Sequence, residues 1–235
     1  MKKTINTPRP SEESQTLAMV NRRFFLRSAG IAATTGAFIL GACKDDDMMA
    51  DPTVDLGSGD IGILNYAYAL EQLEAAFYTQ AIATPYAGMS AAERAILTDI
   101  RDHEIIHRDF FKAALGASAI PGLEVNFSAI NFNDRASVLA TAKVFEDTGV
   151  SAYNGAGRLI KDAGYLLLAG KIVSVEARHA AIIRDLINPN SIDFAGDDVT
   201  SSNGLDLSST PDMVLTAVAP FIKTMVSGSN LPKKS

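Results

Sequence analysis

The chain has 235 residues, with 21 basic side chains, 27 acidic side chains and a formal net charge of −6 at pH 7. Without residues 1–42 it keeps 15 basic and 25 acidic side chains, a net charge of about −10. This sign disfavours nucleic acid and anionic lipid as partners and is compatible with cationic metals, while a single cysteine excludes a disulfide scaffold.

The N-terminal residues have the features of an export signal. Residues 21–27, Asn-Arg-Arg-Phe-Phe-Leu-Arg, match a twin-arginine signal. The uncharged stretch 28–42 is shorter than the roughly 20 residues of a membrane span, so it is typical of a signal sequence. It ends in Leu-Gly-Ala before Cys43, which looks like a lipobox. We therefore expect residues 1–43 to direct cleavage and lipidation at Cys43; the alternative is a spare thiol in a long leader.

The predicted address is the periplasm or the outer membrane, as a lipoprotein. The acidic run at residues 44–47 resembles a tag that sends some bacterial lipoproteins to the cell surface, although such a run is usually a solvated linker. Residues 44–59 are acidic and contain glycine and proline, which predicts a flexible tether.

Two helices are predicted after the tether. Residues 65–78 have the pattern of an amphipathic helix, which we expect to end near Ile82 at a loop containing proline and glycine. Ser90 and Glu93 have the spacing of a capping box, which predicts the start of the second helix.

A long connection separates these helices from the next pair. Residues 116–133 contain one proline, two glycines and three asparagines, which break the helical pattern. At about 3.3 Å per residue, the segment is long enough to run back along a bundle. Residues 142–153 then predict a third helix, and residues 161–164 the turn into the fourth. The predicted bundle spans residues 60–188.

Residues 189–235 are predicted to be a polar loop, a short helix and a tail. Thr210 is a good N-cap and is followed by proline at the first helical position, so a fifth helix is expected from there to about Ile222. The tail from Ser227 is expected to fray.

Glu-x-x-His is the most informative pattern, because it occurs twice and uses two of only three histidines. Residues i and i+3 share one face of a helix, so each motif points a carboxylate and an imidazole at the same place. The other two helices carry Glu-x6-Tyr, with the tyrosine roughly two turns from its glutamate on the same face. Together the motifs form a repeated unit. The first unit contains Glu71, Tyr78, Glu104 and His107, and the second contains Glu146, Tyr153, Glu176 and His179.

These motifs predict a dinuclear metal site. Distances counted from the connecting loops place the four glutamates at a similar depth, within about a turn. Two facing Glu-x-x-His pairs and one glutamate from each of two further helices form the di-metal site of a four-helix bundle. Carboxylate and imidazole ligands without thiolate favour two iron or manganese ions. We expect Glu104 and Glu176 to bridge the metals, with Glu71 and Glu146 terminal and one histidine on each metal.

Some of these residues have a second interpretation. Glu74, one turn from Glu71, could be the ligand from the first helix or a bridging or entry-site carboxylate. The match of Glu-x6-Tyr in both units favours Glu71. Tyr78 and Tyr153 could be simple core aromatics, or their hydroxyls could bond ligands or relay electrons during catalysis.

A competing motif overlaps the second helix. His103, Glu104 and His107 form His-Glu-x-x-His, the signature of zinc metallopeptidases, in which the glutamate is a general base. That interpretation leaves Glu176 and His179 unexplained, and no Gly-x-x-His follows to supply a third ligand. Otherwise we expect His103 to be exposed or to lie behind a ligand.

Two strings carry a resemblance to a known family. Residues 64–78, Leu-Asn-Tyr-Ala-Tyr-Ala-Leu-Glu-Gln-Leu-Glu-Ala-Ala-Phe-Tyr, and residues 175–184, Val-Glu-Ala-Arg-His-Ala-Ala-Ile-Ile-Arg, resemble the ferritin-like domain family that includes plant desiccation-related proteins and exported bacterial proteins. The resemblance covers about residues 61–188. It implies an all-α, antiparallel four-helix bundle with a long crossover between helices 2 and 3 and, where the ligands are kept, a di-iron-type site.

The sequence leaves the reaction open. Two adjacent metals could share the two-electron reduction of O2 or peroxide, so oxidation of ferrous iron or breakdown of peroxide is the expected chemistry. The alternative is a non-enzymatic envelope or stress-protection module on the same bundle, since one fold hosts many functions. A homodimer is compatible with the sequence.

Overall fold

The computed structural model describes residues 53–233, and these residues confirm the predicted all-α bundle with a short fifth helix. Two short strands pair in parallel and join the two ends of the described chain. Within this part of the chain, none of the helices combines the length and the hydropathy that crossing a membrane requires. The elements are β1 (Val54–Asp55), α1 (Gly59–Ala83), α2 (Ala91–Leu115), α3 (Arg135–Gly157), α4 (Ala163–Ile187), α5 (Pro211–Val218) and β2 (Val226–Ser227).

Side-chain caps fix where α2, α3, α4 and α5 begin. Ser90 Oγ accepts from the backbone N–H of Glu93 at 3.1 Å, and the Glu93 carboxylate accepts in return from the backbone of Ser90, so the predicted capping box is confirmed. Asp134 and Asp162 cap α3 and α4, and Thr210 caps α5 as predicted. Each cap satisfies N–H groups that the helix leaves unpaired, an effect of about 1 kcal/mol.

The crossover between α2 and α3 runs along α1. Asn65 Oδ1 accepts a backbone N–H near the start of the crossover at 3.0 Å. Gln72 Oε1 accepts from the N–H of Leu123 at 2.8 Å, and the ring of Phe77 packs against that of Phe127 at 6.0 Å. These contacts advance along α1 in the same direction as along the crossover. The crossover therefore carries the chain to the far end of the bundle, and α2 and α3 run parallel.

α1 is the central element of the fold. Its neighbours are α2, α3 and the crossover, and 17 of its 25 residues are buried. Asp60, in its first turn, accepts the backbone N–H groups of Lys161 and Asp162 at 2.9 and 2.8 Å. This contact ties the start of α1 to the turn between α3 and α4.

Two sequence predictions about the chain ends differ from the structure. Residues 53–58 do not belong to a flexible tether, and the tail does not fray at Ser227. Leu56 is fully buried, its N–H bonds to the carbonyl of Ser227 at 3.0 Å, and Leu231 is 5% exposed. Leu56 and Leu231 anchor both ends to the core. The polar composition of the surrounding residues gave no indication that these two side chains are buried. The export signal, Cys43 and the remaining tether residues lie outside the described residues.

The C-terminal segment crosses α3 at close range. The N–H of Ser209 bonds to the carbonyl of Ser151 at 2.9 Å. Beside this contact, a Cβ on Gly155 would lie 1.7 Å from the carbonyl oxygen of Ser209. The crossing is possible only because position 155 has no side chain.

Two alanine substitutions in helices should therefore have opposite effects. Gly155→Ala should lower the free energy of unfolding by about 1–3 kcal/mol, because the backbone must shift to admit the methyl group. Gly170→Ala, at a helical glycine with open space around it, should raise it by about 0.5–1 kcal/mol through helix propensity. Urea unfolding of both variants is the measurement; equal effects would contradict the close crossing.

Candidate metal centre

Each of the four long helices contributes a buried glutamate to the middle of the bundle, and α2 and α4 each add a histidine. The four glutamates have 0% exposure, and the histidines have 9% and 4%. Carboxylates are rarely buried without a partner, because an isolated charge is costly away from water. These residues, called here the Glu/His cluster, are Glu71, Glu104, His107, Glu146, Glu176 and His179.

The cluster divides into two overlapping groups. Glu71, Glu104, His107 and Glu176 form one, Glu104, Glu146, Glu176 and His179 form the other, and the ligand atoms within each lie within 4.8 Å of one another. Glu104 and Glu176 belong to both groups. The geometry thus gives two equivalent positions, each with its own glutamate and histidine, that share two carboxylates.

Both histidines turn Nδ1 toward the carboxylates. Nδ1 of His107 lies 2.9 Å from Glu176 Oε1 and 3.4 Å from Glu71 Oε2. Nδ1 of His179 lies 2.8 Å from Glu104 Oε1 and 3.6 Å from Glu146 Oε2. Each imidazole therefore reaches across to the carboxylate of the opposite Glu-x-x-His motif.

The atoms that face the centre contact one another but form no hydrogen bond of good geometry. In the described residues, ten buried side-chain atoms are without a hydrogen bond, and eight of them belong to the cluster. An unsatisfied buried polar atom costs about 1–3 kcal/mol, and bound cations would remove that cost for all eight. Carboxylate and imidazole are ligands that metal ions bind, so these residues could hold metal ions. The eight are both oxygens of Glu104 and Glu176, Oε2 of Glu71 and Glu146, and Nδ1 of His107 and His179.

Two tyrosines bond the glutamates of α1 and α3, and they do so across the bundle. The hydroxyl of Tyr78 on α1 donates to Oε1 of Glu146 on α3. The hydroxyl of Tyr153 on α3 donates to Oε1 of Glu71 on α1. Each tyrosine thus bonds the glutamate of the other helix, and Oε2 of each glutamate faces the cluster. Burial and the adjacent carboxylates raise the pKa of both phenols well above the usual value, so the hydroxyls stay protonated as donors.

Glu74 is buried beside the cluster but belongs to neither group. Burial, and then repulsion from the glutamates of the cluster, raise the pKa of Glu74 well above the usual value. Its counterpart in the second unit, three residues after Glu146, is Gly149, where a Cβ would lie 3.2 Å from Glu74 Oε1. Sequence analysis missed Gly149; aligning the two Glu-x6-Tyr motifs finds it. The geometry makes Glu71 the ligand candidate on α1 and makes Glu74 a neighbouring acid.

Ion pairing governs protonation of the two histidines. Burial alone would lower their pKa values, but the surrounding glutamates raise both to about 12. Without a metal, both imidazoles therefore carry protons and supply the positive charge. A metal must displace them, because a histidine ligand binds through an unprotonated nitrogen.

The two glutamates common to both groups, Glu104 and Glu176, have pKa values shifted in opposite directions. Burial and repulsion from Glu176 raise the pKa of Glu104 well above the usual value. The two histidines overcome burial and lower the pKa of Glu176. Because Glu104 and Glu176 both interact with His107 and His179, their titrations are coupled, and a proton bound by these two carboxylates is shared between them.

His103 belongs to neither group. Its Nδ1 lies 2.9 Å from Nε2 of His179, the ring nitrogen that points away from the cluster. In a zinc peptidase His103 and His107 would bind one ion, but here His107 faces the carboxylates and His103 contacts the outer side of His179. This arrangement does not favour the peptidase interpretation.

The metal-free protein should lose stability as the pH rises from about 4.5 to 7. Burial raises the pKa of Glu146 to about 7, so the folded state holds this proton more tightly than the unfolded state. Stability from it is full below the unfolded pKa and falls with increasing pH, by about 1.4 kcal/mol per pH unit. Glu146→Gln should make the fall in melting temperature between pH 5 and 8 shallower and keep an acceptor for Tyr78, while Glu74 and Glu104, whose pKa values are also raised, keep part of the slope. The exposed Glu124→Gln is the control; the same slope in all three proteins would contradict the assignment.

Comparison with known families agrees with this geometry. The family model described as ferritin-like domain matches residues 59–189, more than half of the chain and all four long helices. No curated protein matches the chain. All six residues of the Glu/His cluster lie inside the matched region. The chain belongs to the ferritin-like domain family.

Proposed function

We propose that the Glu/His cluster binds two iron or manganese ions and that the loaded centre oxidises ferrous iron or reduces O2 or peroxide. The supporting observation is the set of eight buried ligand atoms without hydrogen bonds. Family membership and a buried cluster compatible with a di-metal site support the same proposal.

The positions of the residues suggest a role for each. Glu104 and Glu176, common to both groups, would bridge the metals. Glu71 and His107 would complete one position, and Glu146 and His179 the other. When bound, two ferrous ions would supply two electrons, which with two protons convert one peroxide to two waters.

The tyrosines would act through the terminal ligands. Each donates to one carboxylate oxygen and leaves the other directed at the centre. A fixed carboxylate is a better ligand than a mobile one, because orientation is settled before the metal arrives. We propose that Tyr78 and Tyr153 position Glu146 and Glu71, and that they are the residues placed to relay an electron to a centre that reduces O2 or peroxide.

A small, mostly apolar cavity lies beside Tyr153. Its volume is about 20 Å3, and Leu70, Phe111 and Tyr153 are among the side chains that line it. That volume admits about one water-sized molecule. Tyr153 also bonds Glu71, so one side chain separates the cavity from the Glu/His cluster, and we propose that a small oxidant approaches from this side.

Ferrous binding and oxidation test the proposal. The full-length chain, loaded without oxygen, should bind about two ferrous ions and oxidise them when O2 or peroxide is added. Glu104→Ala and Glu176→Ala should stay folded and lose both ions, because each removes a shared ligand. Glu124→Ala, which removes an exposed carboxylate, is the matched control.

Other outcomes would identify other functions. Absence of metal after anaerobic loading would point to a non-enzymatic binding or stress-protection module. One zinc per chain that is kept in His179→Ala and lost in His103→Ala would instead support a peptidase.

We also propose that the protein is exported in folded form by the twin-arginine route and anchored through lipidated Cys43. The motif at residues 21–27 and the single cysteine after Leu-Gly-Ala support this. In a twin-arginine-competent bacterium the wild type should fractionate with membranes, and Cys43→Ser should not, because it has no lipid. A double substitution of Arg22 and Arg23 by lysine should block export; export without the pair would contradict the route.

A further inference from the structure

His103 contacts the outer side of a ligand candidate. The residue lies on the exposed side of α2, yet its ring stacks on that of His179 from α4, with centroids 5.1 Å apart and an angle of 12° between the planes. Its Nδ1 is 2.9 Å from Nε2 of His179. The contact therefore joins α2 to α4 behind the Glu/His cluster.

The chemistry of imidazole fixes the direction of this hydrogen bond. A neutral histidine that gives Nδ1 to a metal carries its proton on Nε2. Nε2–H of His179 then donates to Nδ1 of His103, which must be unprotonated there. A partner of this kind holds the tautomer and the ring orientation of the ligand and increases its basicity.

The second unit has no equivalent residue. His103 immediately precedes Glu104 in one Glu-x-x-His motif, and Val175 immediately precedes Glu176 in the other. A valine side chain cannot accept a hydrogen bond. Each position of the cluster has three glutamates and one histidine. The positions therefore do not differ in ligand type, but only one of them has a histidine behind its ligand.

We propose that His103 is a positioning residue that makes the position of Glu146 and His179 the tighter of the two divalent-cation sites, so that this position fills first. The inference rests on the proposed metal binding and adds an order of loading. Pre-orientation favours binding because the ligand no longer pays the entropy of ordering its ring when the ion arrives.

Titration of the metal-free, full-length chain with Co2+, followed by its visible absorption, tests the proposal. The wild type should bind two ions in two resolvable steps. His103→Val, which copies the residue of the other unit, should weaken the tighter step by about 10–100-fold and leave the other unchanged. His103→Asn, whose side-chain oxygen can replace Nδ1 as the acceptor, should recover most of the affinity.

The controls separate a positioning effect from a structural one. Ile106→Ala removes an exposed side chain from the same stretch of α2 and should change neither step. His179→Ala should abolish the tighter step, which assigns that step to its position. Loss of affinity with valine and its recovery with asparagine is a result that general loss of stability cannot produce.

Two results would overturn the inference, and they differ in what else they affect. Two Co2+ bound with equal affinity, or an unchanged tighter step in His103→Val, would refute the loading order and leave the dinuclear site in place. No Co2+ bound by the wild type would refute both the loading order and the proposed function.

Discussion

Four carboxylates buried within a few ångströms of one another are the constraint on which the rest of this structure depends. Such a group cannot remain fully ionised and unpaired in a protein interior, because uncompensated buried charge costs several kcal/mol per ion. Positive charge must therefore occupy the same space. In the metal-free chain, protons on His107 and His179 supply this positive charge. The surrounding glutamates raise the pKa values of both histidines and so keep them protonated. Divalent cations can meet the same demand by displacing those protons.

The bundle places the four carboxylates together by taking one glutamate from each of its four long helices. One glutamate per helix lets the carboxylates meet at mid-height, where the apolar faces of α1 and α3 close around them. The crossed hydrogen bonds of Tyr78 and Tyr153 join α1 to α3, and each satisfies one oxygen that faces away from the cluster. Each half of the bundle thus completes the site of the other, and neither helix pair could form the site alone.

Periodicity and spacing made the helices and the buried Glu/His cluster predictable from the sequence. A residue on a helix has a known face but an unknown neighbour, so the Glu-x6-Tyr spacing could not reveal that Tyr78 bonds Glu146. The same limit applies to His103, whose contact depends on the approach of α4. The predictions of a flexible tether and a frayed tail were wrong for another reason. Leu56 and Leu231 are single apolar residues in polar segments, and one buried side chain produces no periodic pattern in the sequence.

Departures from two-fold symmetry carry the functional information that the repeated motifs do not. A symmetric bundle needs the same residue at matching positions, yet Glu74 faces Gly149, and His103 matches Val175. Neither difference changes the ligands of the Glu/His cluster. The first adds a buried acid on one side of the centre, and the second adds an imidazole behind one ligand. If the cluster binds two metals as we propose, these two differences are what would allow its two positions to bind them unequally.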